Sequence, residues 1–357
     1  MEIALTCKLN DIACQNFLIP ISEVSNIDQV NVVRYALGID VLKVEYHEVG
    51  SPKGFGHYKR FKKMLKLSQN GNSDILIGIY EIPHGLIACL AGLRAKKPFI
   101  VSIIGNPAYK SLRKGIRNKI SYWMYKKAAA LTVTGSKSRQ FMIETGIDEK
   151  KVFVLPNSID INEFQVNQNI KKEYDIISIG RISPEKELGI LLDVVKLLKN
   201  KHKSIKVGIA GKGPDFKLLQ DRIISEGLED NIDLIGYVED IVEFYNSGKL
   251  FMVTSRTEGL PRTILEAMAC GLPCVSSNVG DVSDAVINDK TGYCIENYKD
   301  IQAYADKIDY LLDNKHREFY EKLSMQARKH MISKFSHEAA KKVWDNIFNN
   351  IGVLEND

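Results

Sequence analysis

The sequence has few of the features that mark secreted, metal-binding or membrane-spanning proteins. It contains 6 cysteines among 357 residues, and none lies in a Cys-x-x-Cys pair or at zinc-site spacing from a histidine. They are too sparse for a disulfide framework, so we expect reduced thiols in a cytosolic protein. Apolar runs such as residues 75–79 and 99–104 are far shorter than the roughly 20 residues that cross a bilayer. The polar residues Glu2 and Lys8 do not fit a signal peptide, so we expect neither secretion by that route nor a membrane span.

Proline is scarce and the composition is that of an ordinary globular protein. There are 10 prolines, 45% of residues are hydrophobic and 26% are charged, which excludes disordered and collagen-like classes. At about 100 to 200 residues per domain, the length predicts two domains. Residues 1–165 hold 23 basic and 14 acidic side chains (+9), whereas the remainder holds 26 and 30 (−4). The basic front half therefore predicts a polyanion or an anionic membrane surface as a partner.

Short β-branched runs alternate with amphipathic stretches, which predicts an α/β protein of two tandem Rossmann-like domains. The polar segment 156–173 has neither helical nor strand periodicity and is predicted to be a linker. We place an N-terminal domain over residues 1–165, a C-terminal domain over 166–334, and a closing helix over 335–357 that could return to the N-terminal domain. The predicted strands of the front half are 2–6, 41–46, 74–80, 98–103, 130–134 and 152–155. Those of the back half are 174–180, 205–210, 232–235, 250–255 and 273–276.

The segment richest in chemistry, residues 255–273, runs from a strand end through a loop into a helix. Glu258 lies where open α/β sheets bind ligands, and Gly259 lets backbone approach a ligand closely. A helix beginning near Arg262 would direct its first amides to the same place, with Glu266 one turn further on. This arrangement predicts a phosphate flanked by hydroxyls, because amides bind the anion and carboxylates accept from hydroxyls. Taken alone, either glutamate would be interpreted as a solvated surface residue.

The segment from Glu258 to Glu266, Glu-Gly-Leu-Pro-Arg-Thr-Ile-Leu-Glu, resembles the Glu-x7-Glu signature of retaining glycosyltransferase family 4. These are nucleotide-sugar transferases of the two-domain GT-B fold, with a cleft between the domains. The resemblance is strong over residues 151–300 and weak before residue 75. Three other segments carry it: Gly-Arg-Ile-Ser-Pro-Glu-Lys at 180–186, Ala-Gly-Lys-Gly-Pro at 210–214, and the hinge-like run 151–165.

The resemblance implies roles for residues of the back half. Arg181 and Lys186 would bind the donor diphosphate and stabilise the charge of the leaving group, as a metal ion would otherwise do. Glu266 would bind the ribose, and Glu258 would hold the donor sugar near the reacting carbon. The remaining donor-side candidates are the amides of Gly259 and Leu260, the turn of Gly211 and Gly213, and Tyr237 and Val238 beside the base. Plain loop geometry for the two glycines, and a core or edge position for Tyr237 and Val238, remain alternatives.

The front half departs from the family pattern in two places. No glycine follows the first strand, and Ile104 stands where many members have a catalytic histidine. The nearest substitute is His84, which we take as a catalytic candidate at the carboxyl end of another strand; the alternative is that it caps or packs the next helix. Weaker candidates for acceptor contacts are Glu81, Gly105 and Asn106.

A basic stretch at residues 110–127 holds seven cations, no acid and an interleaved apolar face. With the cations of residues 58–66, it predicts a helix that lies on an anionic bilayer. The alternative is that the apolar face packs on its own sheet and the cations are solvated. We find no nucleic-acid recognition motif and expect no nucleic-acid partner.

These observations predict a cytoplasmic retaining glycosyltransferase that is peripheral on the cytoplasmic face of the membrane. It would move a sugar from a nucleotide diphosphate donor, with a UDP-sugar favoured and a GDP-sugar as the alternative, to a glycan or lipid-linked acceptor in cell-surface polysaccharide or glycolipid synthesis. No cofactor or metal is expected, since no Asp-x-Asp site is evident. The alternatives are a non-catalytic sugar-nucleotide-binding partner of a transferase and a nucleotide-sugar epimerase of the same fold.

Overall fold

The computed structural model describes residues 1–50, 55–69, 71, 73–108 and 115–352. The chain forms two compact units. The first comprises Met1–Ser158 together with the C-terminal segment from His337, and the second comprises Ile159–Ser336. The boundaries placed from sequence, after residues 165 and 334, lie seven and two residues from these positions.

The first unit is built on a parallel sheet, which in its described residues has seven strands in the order β3-β2-β1-β4-β5-β6-β7. The strands are β1 (Glu2–Thr6), β2 (Gln29–Arg34), β3 (Val44–Glu48), β4 (Ile75–Ile79), β5 (Phe99–Ile103), β6 (Ala130–Val133) and β7 (Val152–Val154). The helices are α1 (Asp11–Ser22), α2 (Phe55–Gln69), α3 (Leu86–Ala95), α4 (Ile116–Lys127), α5 (Ser136–Glu144) and the C-terminal α12 (His337–Asn350).

Helices cover both faces of this sheet, and strands such as β4 and β5 are therefore buried along their whole length. Helices α1 and α12 pack on one face, and α2, α3, α4 and α5 pack on the other. The C-terminal helix is held by Trp344, whose ring meets Phe17 of α1 edge-on at 5.7 Å between centroids. Truncation of such a buried tryptophan typically costs about 3–5 kcal/mol, so α12 is an integral part of the first unit.

The second unit has a parallel sheet of six strands in its described residues, in the order β10-β9-β8-β11-β12-β13. The strands are β8 (Tyr174–Ile179), β9 (Val207–Ala210), β10 (Ile232–Gly236), β11 (Gly248–Val253), β12 (Cys274–Ser277) and β13 (Gly292–Ile295). The helices are α6 (Leu188–Lys201), α7 (Phe216–Ser225), α8 (Ile241–Ser247), α9 (Arg262–Ala269), α10 (Ile301–Leu312) and α11 (Arg317–Lys334).

The strand order reverses between β1 and β4 in the first sheet and between β8 and β11 in the second. In open parallel sheets the crevice at such a reversal, outside the carboxyl ends of the strands, is where ligands bind. The loops after β8 and β11 are those that carry the sequence motifs of the back half. The topology therefore places the motif residues at the edge where binding is expected.

The structure confirms the two parallel α/β domains predicted from sequence, and it adds two strands that the sequence pattern did not indicate. In β2, buried Asn31 and Arg34 interrupt the apolar run, so the strand lacks a clear period. Strand β13 has only four residues and begins at a glycine. The strand predicted over residues 41–46 is present, but β3 begins at Val44, because Lys43 adopts a left-handed φ of 61°.

Candidate functional site

The loop after β11 places Glu258 against Lys186 from the loop after β8. The Lys186 Nζ atom lies 2.5 Å from Glu258 Oε1, and the Ser255 hydroxyl donates to the same oxygen at 2.8 Å. The two side chains are 24% and 15% exposed, so solvent screens the pair only in part. An acid and a base predicted from separate motifs are thus brought together in one ion pair.

Backbone contacts fix the two loops to each other. The Thr254 hydroxyl donates to the carbonyls of Lys186 (2.9 Å) and Glu187 (3.1 Å), and the Arg256 amide donates to Glu185 O at 2.9 Å. Glu187 has a left-handed φ of 49°, which is uncommon for a residue with a side chain. The contacts of Thr254 hold this turn and so aim Lys186 at Glu258.

Glu266 lies inside α9 and is only 7% exposed. Its Oε2 atom accepts a hydrogen bond of 2.9 Å from the buried Tyr245 hydroxyl, and its Oε1 atom is 3.4 Å from Arg262 Nε. Burial, followed by the Glu266 charge, raises the pKa of Tyr245 well above its usual value. The tyrosine therefore keeps its proton and remains a donor to the carboxylate.

The helix α9 begins directly after the loop that carries Glu258. Pro261 is the N-cap residue, and within the described chain no side chain caps this end. A concavity lies beside it, at the carboxyl ends of β8, β9 and β11. Its lining includes Gly180, Arg181, Lys186, Ser255, Pro261 and Thr263. Cationic side chains and helix amides around one concavity form an anion-binding arrangement.

Two predicted donor-side glycines are required by close backbone contact. A Cβ atom on Gly211 would lie 1.8 Å from Gly180 O, and one on Gly213 would lie 1.9 Å from Ile182 O. Gly211 also has a φ of 146°. Any side chain here would separate the loops after β8 and β9, so both glycines keep the wall of the concavity closed.

The other donor-side candidates differ in exposure. Arg181 is exposed at the concavity, and Tyr237 is 69% exposed with Lys212 Nζ 5.3 Å from its ring centroid. Val238 packs partly against the core. Leu260 is 3% exposed and its side chain belongs to the core, which leaves its backbone as the part that could face a ligand. The Gly259 carbonyl accepts from the Asp281 amide at 2.8 Å.

In the first unit, His84 lies in an irregular turn (Glu81–Gly85) that follows β4 after Tyr80 and contains the extended backbone of Ile82. It is 2% exposed, and its Nδ1 atom is 3.0 Å from the Thr6 hydroxyl. Burial, with added repulsion from Arg60, His57 and Lys8, lowers the pKa of His84 to about 3. The imidazole is therefore neutral at physiological pH.

The acceptor-side candidates of the first unit fall into two groups. Glu81 and His84 line a broad, open concavity. Gly105 and Asn106 follow β5 and are half-buried, but they do not belong to that lining. Ile104, at the position of the missing histidine, packs partly against the core. Other lining residues are Lys8, Ile82, Pro83, Arg117, Lys119, Tyr122, Trp123, Tyr125, Lys126, Phe141 and Met142.

The predicted basic surface is borne by α2 and α4, which flank α3 on one face of the first sheet. Apolar side chains are exposed on all three helices: Phe55 (72%), Leu93 (46%), Ile116 (74%) and Trp123 (43%). One cation of the α2 stretch, Arg60, is buried instead, at 1% exposure. The cations at 110, 113 and 114 lie outside the described residues.

Two residues that complete the site were missed from sequence. Ser255 follows a buried strand, and a polar residue at such a strand end is a signal that could have indicated it. Tyr245 gives no such signal, because it lies in a short, largely apolar helix and its sequence context predicts a core residue.

Among the described residues no cluster of three or more metal-ligating side chains occurs, and none of their helices is both long and apolar enough to cross a bilayer.

Two family models match nearly the whole chain. The family "Glycosyl transferase 4-like domain" matches residues 25–158, and "Glycosyl transferases group 1" matches residues 160–330. The chain is a glycosyltransferase of the family 4 type. This membership confirms the family predicted from the Glu258 to Glu266 segment.

Several characterised and uncharacterised proteins are similar to this glycosyltransferase. It is 25% identical over 314 residues to the capsular polysaccharide biosynthesis glycosyltransferase CapM of Staphylococcus aureus, covering 83% of this chain and 81% of CapM. It is 26% identical over 301 residues (84% and 79% of the two chains) to a Campylobacter jejuni α-1,4-N-acetyl-D-galactosaminyltransferase that is named for a diphosphoundecaprenol-linked substrate. It is also 27% identical over 241 residues to an uncharacterized glycosyltransferase of Methanocaldococcus jannaschii, and this alignment covers 62% of this chain and 59% of that protein.

The fold of the glycosyltransferase is that of known GT-B structures. Anabaena HepE, solved in complex with UDP, superposes with a TM-score of 0.81 at 17% identity and covers 99% of this chain and 100% of its own. At this identity the likeness establishes the fold alone.

The buried His84 generates an expected pH dependence of stability. Its pKa falls from 6.5 to about 3 on folding, so between these values the unfolded chain binds more protons than the fold. The stabilisation is complete above about pH 6.5 and is lost as the pH falls toward 3. Urea unfolding of His84→Gln at pH 8 and pH 5 should show a smaller loss on acidification than wild type, because glutamine does not titrate. Parallel losses in the two proteins would contradict the assignment.

Proposed function

We propose that this glycosyltransferase is a retaining, metal-independent enzyme that moves a sugar from a UDP-sugar to a lipid-linked or polysaccharide acceptor in cell-surface glycan synthesis. The observation that carries the proposal is the Lys186–Glu258 pair, whose lysine lines the concavity beside α9. It joins a cation for a leaving phosphate to a carboxylate for a sugar hydroxyl within 2.5 Å. Glu266 lies in the next helix, α9, about one turn from its first residue.

The donor diphosphate fits the charges around this concavity. Arg181, Lys186 and the first amides of α9 offer two cations and a helix N-terminus to an anion. When phosphate oxygens take over Lys186, Glu258 becomes free to accept from sugar hydroxyls while Ser255 still orients it. The interaction with both cations grows as negative charge develops on the leaving diphosphate, which is the condition for acceleration.

In the proposed mechanism, the acceptor attacks the anomeric carbon on the face from which the diphosphate leaves. The anomeric configuration of the sugar is therefore retained. The acceptor oxygen forms a bond to the anomeric carbon as the bond from that carbon to the phosphate oxygen breaks. The departing phosphate oxygen takes the acceptor proton. Arg181 and Lys186 supply the positive charge that a metal ion would otherwise supply.

The choice of donor and acceptor is supported by relatives. HepE, of the same fold, was solved with UDP, which favours UDP over GDP as the nucleotide. CapM is named for capsular polysaccharide and the Campylobacter jejuni enzyme for a diphosphoundecaprenol-linked glycan. The concavity of the first unit is lined by aromatic and aliphatic side chains with cations among them, which suits an amphiphilic acceptor with an anionic linkage.

A donor screen tests this proposal. The enzyme is incubated with UDP-sugars and GDP-sugars and a lipid extract of bacterial membranes, with nucleotide release and the anomeric configuration of the product (by NMR) as readouts. We expect release of UDP, the anomeric configuration of the donor in the product, and unchanged turnover in EDTA. Inversion of configuration would overturn the retaining assignment, and loss of turnover in EDTA would overturn metal independence.

The diphosphate assignment can be tested by removing the cations singly. Lys186→Ala and Arg181→Ala should each lower turnover by about 10²-fold or more, because each removes a positive charge from the leaving group. Lys203→Ala, an exposed lysine elsewhere on the second unit, is the matched control and should be unaffected. Near-normal turnover of both folded variants would remove the assignment.

The membrane part of the proposal rests on the surface formed by α2, α3 and α4. Cations Arg117, Lys119, Lys126 and Lys127 accompany exposed Ile116 and Trp123 on α4. Each cation near an anionic bilayer contributes about 1 kcal/mol, and inserted apolar side chains add to this. The exposure of these apolar residues favours an interfacial role over packing on the sheet.

Sedimentation with vesicles tests this surface. Wild type should pellet with vesicles containing anionic lipid, ignore neutral vesicles, and bind less as salt rises, because exposed charges are screened over about 8 Å at physiological ionic strength. Changing Arg113, Lys114, Arg117 and Lys119 to glutamate should abolish pelleting. A control with the same change of net charge replaces Lys203, Lys290, Lys299 and Lys322 of the second unit by glutamate and should still pellet. Equal pelleting of both variants would remove the proposed surface.

A further inference from the structure

Tyr245 has a buried hydroxyl that donates a hydrogen bond to the carboxylate of Glu266. It lies on α8, is 0% exposed, and its hydroxyl donates to Glu266 Oε2 at 2.9 Å in a fully buried hydrogen bond. No residue of the family motifs is involved in supplying this donor. The contact reaches Glu266 from a separate element, the helix that follows Tyr237 and Val238.

The ring of Tyr245 is fixed by its neighbours. Phe164 and Phe251 meet it in edge-to-face geometry at centroid distances of 6.0 Å and 5.9 Å. Such pairs prefer this geometry and contribute beyond their buried area. The hydroxyl is therefore held in one place and cannot follow a carboxylate that rotates away.

The hydrogen-bonding capacity of Glu266 is limited and partly used. An ionised carboxylate offers about four lone-pair positions on its two oxygens. Tyr245 occupies one position on Oε2, and Arg262 Nε stands 3.4 Å from Oε1. About two positions are left, which matches the two vicinal hydroxyls of a ribose.

We propose that Tyr245 is a positioning residue that holds Glu266 in the orientation that accepts from the ribose hydroxyls, and so makes the enzyme selective for ribonucleotide over 2′-deoxyribonucleotide donors. The inference rests on the proposed function of Glu266 as the ribose ligand. Glu266 is part of the Glu258–Glu266 signature, whereas Tyr245 lies outside it, on the helix α8. Its pKa, raised by burial and by Glu266, keeps the hydroxyl a donor throughout the physiological range.

The consequence of losing the hydroxyl is specific to the ribose. Without Tyr245 the carboxylate of Glu266 is free to rotate toward Arg262 or to recruit water in the vacated position. Hydrogen bonds to the ribose then weaken, whereas contacts to base and diphosphate remain. Affinity for a ribonucleotide should fall more than affinity for its 2′-deoxy analogue.

Calorimetric titration with UDP and with 2′-deoxy-UDP tests the inference, and GDP with 2′-deoxy-GDP is measured in parallel. Wild type should bind UDP more tightly than 2′-deoxy-UDP. In Tyr245→Phe, which keeps the ring, the ratio of the two affinities should fall by about three- to tenfold, the range that corresponds to the net contribution of one ordinary hydrogen bond. The donor KM should rise more than kcat falls.

Tyr293→Phe is the matched control. Tyr293 is 3% exposed in the second unit, and its hydroxyl donates to Asp289 Oδ1 at 2.8 Å. Removing it deletes a buried hydroxyl from a carboxylate other than Glu266 and should leave the ratio unchanged. A fall of both affinities by the same factor in Tyr245→Phe would show a merely structural role and overturn the inference.

A second background keeps the inference falsifiable if Tyr245→Phe is less stable. Glu266→Gln should itself lower the UDP to 2′-deoxy-UDP ratio, and adding Tyr245→Phe should lower it no further, because the two residues act as one unit. A further fall in the double variant would overturn the inference. Wild type that binds neither UDP nor GDP would refute the proposed donor site, whereas wild type that binds a nucleotide without preferring the ribose would refute only the ribose assignment and this inference.

Discussion

The site depends on the junction of the loops after β8 and β11, made by the Thr254 hydroxyl on the carbonyls of Lys186 and Glu187. These strands are neighbours in the sheet although they are distant in sequence. A hydroxyl shared by two carbonyls holds the left-handed turn at Glu187, and that turn directs Lys186. This junction places Lys186 beside Glu258, and it brings the two loops together along the concavity beside α9.

In the proposed function, the Lys186–Glu258 pair exchanges partners with the substrate and is not a source of stability. A partly buried pair must lose hydration that its Coulomb attraction only roughly offsets, so such pairs contribute little net stability. A pair that is neutral overall and costs little to separate can exchange one partner for a substrate charge. Diphosphate is a stronger partner for lysine than a single carboxylate, and the exchange would release Glu258 at the moment when the sugar arrives.

The sequence predicted candidate site residues that lie in local motifs, but it did not predict those whose position depends on tertiary packing. Glu258 and Lys186 stand in loop motifs at strand ends, so the sequence indicated both as candidates, and the parallel topology explains why the structure brings them into contact. Tyr245 could not, since nothing in an apolar helix shows which aromatic residue turns its hydroxyl to a carboxylate 21 positions away. His84 was placed at a strand end correctly, but its burial against Thr6 depends on how the turn Glu81–Gly85 folds back, which no local pattern encodes.

The state of His84 bears on which chemistry the first unit can supply. A general base is most effective when its pKa lies near the working pH, and an imidazole with a pKa of about 3 is a weak base at neutrality. Ile104 supplies no base at the position where related enzymes have a histidine. A reaction in which the leaving phosphate oxygen takes the acceptor proton needs no base from this unit. The absence of a competent imidazole at either position is therefore compatible with the proposed same-face mechanism, in which the second unit supplies the charge stabilisation and the first unit orients the acceptor.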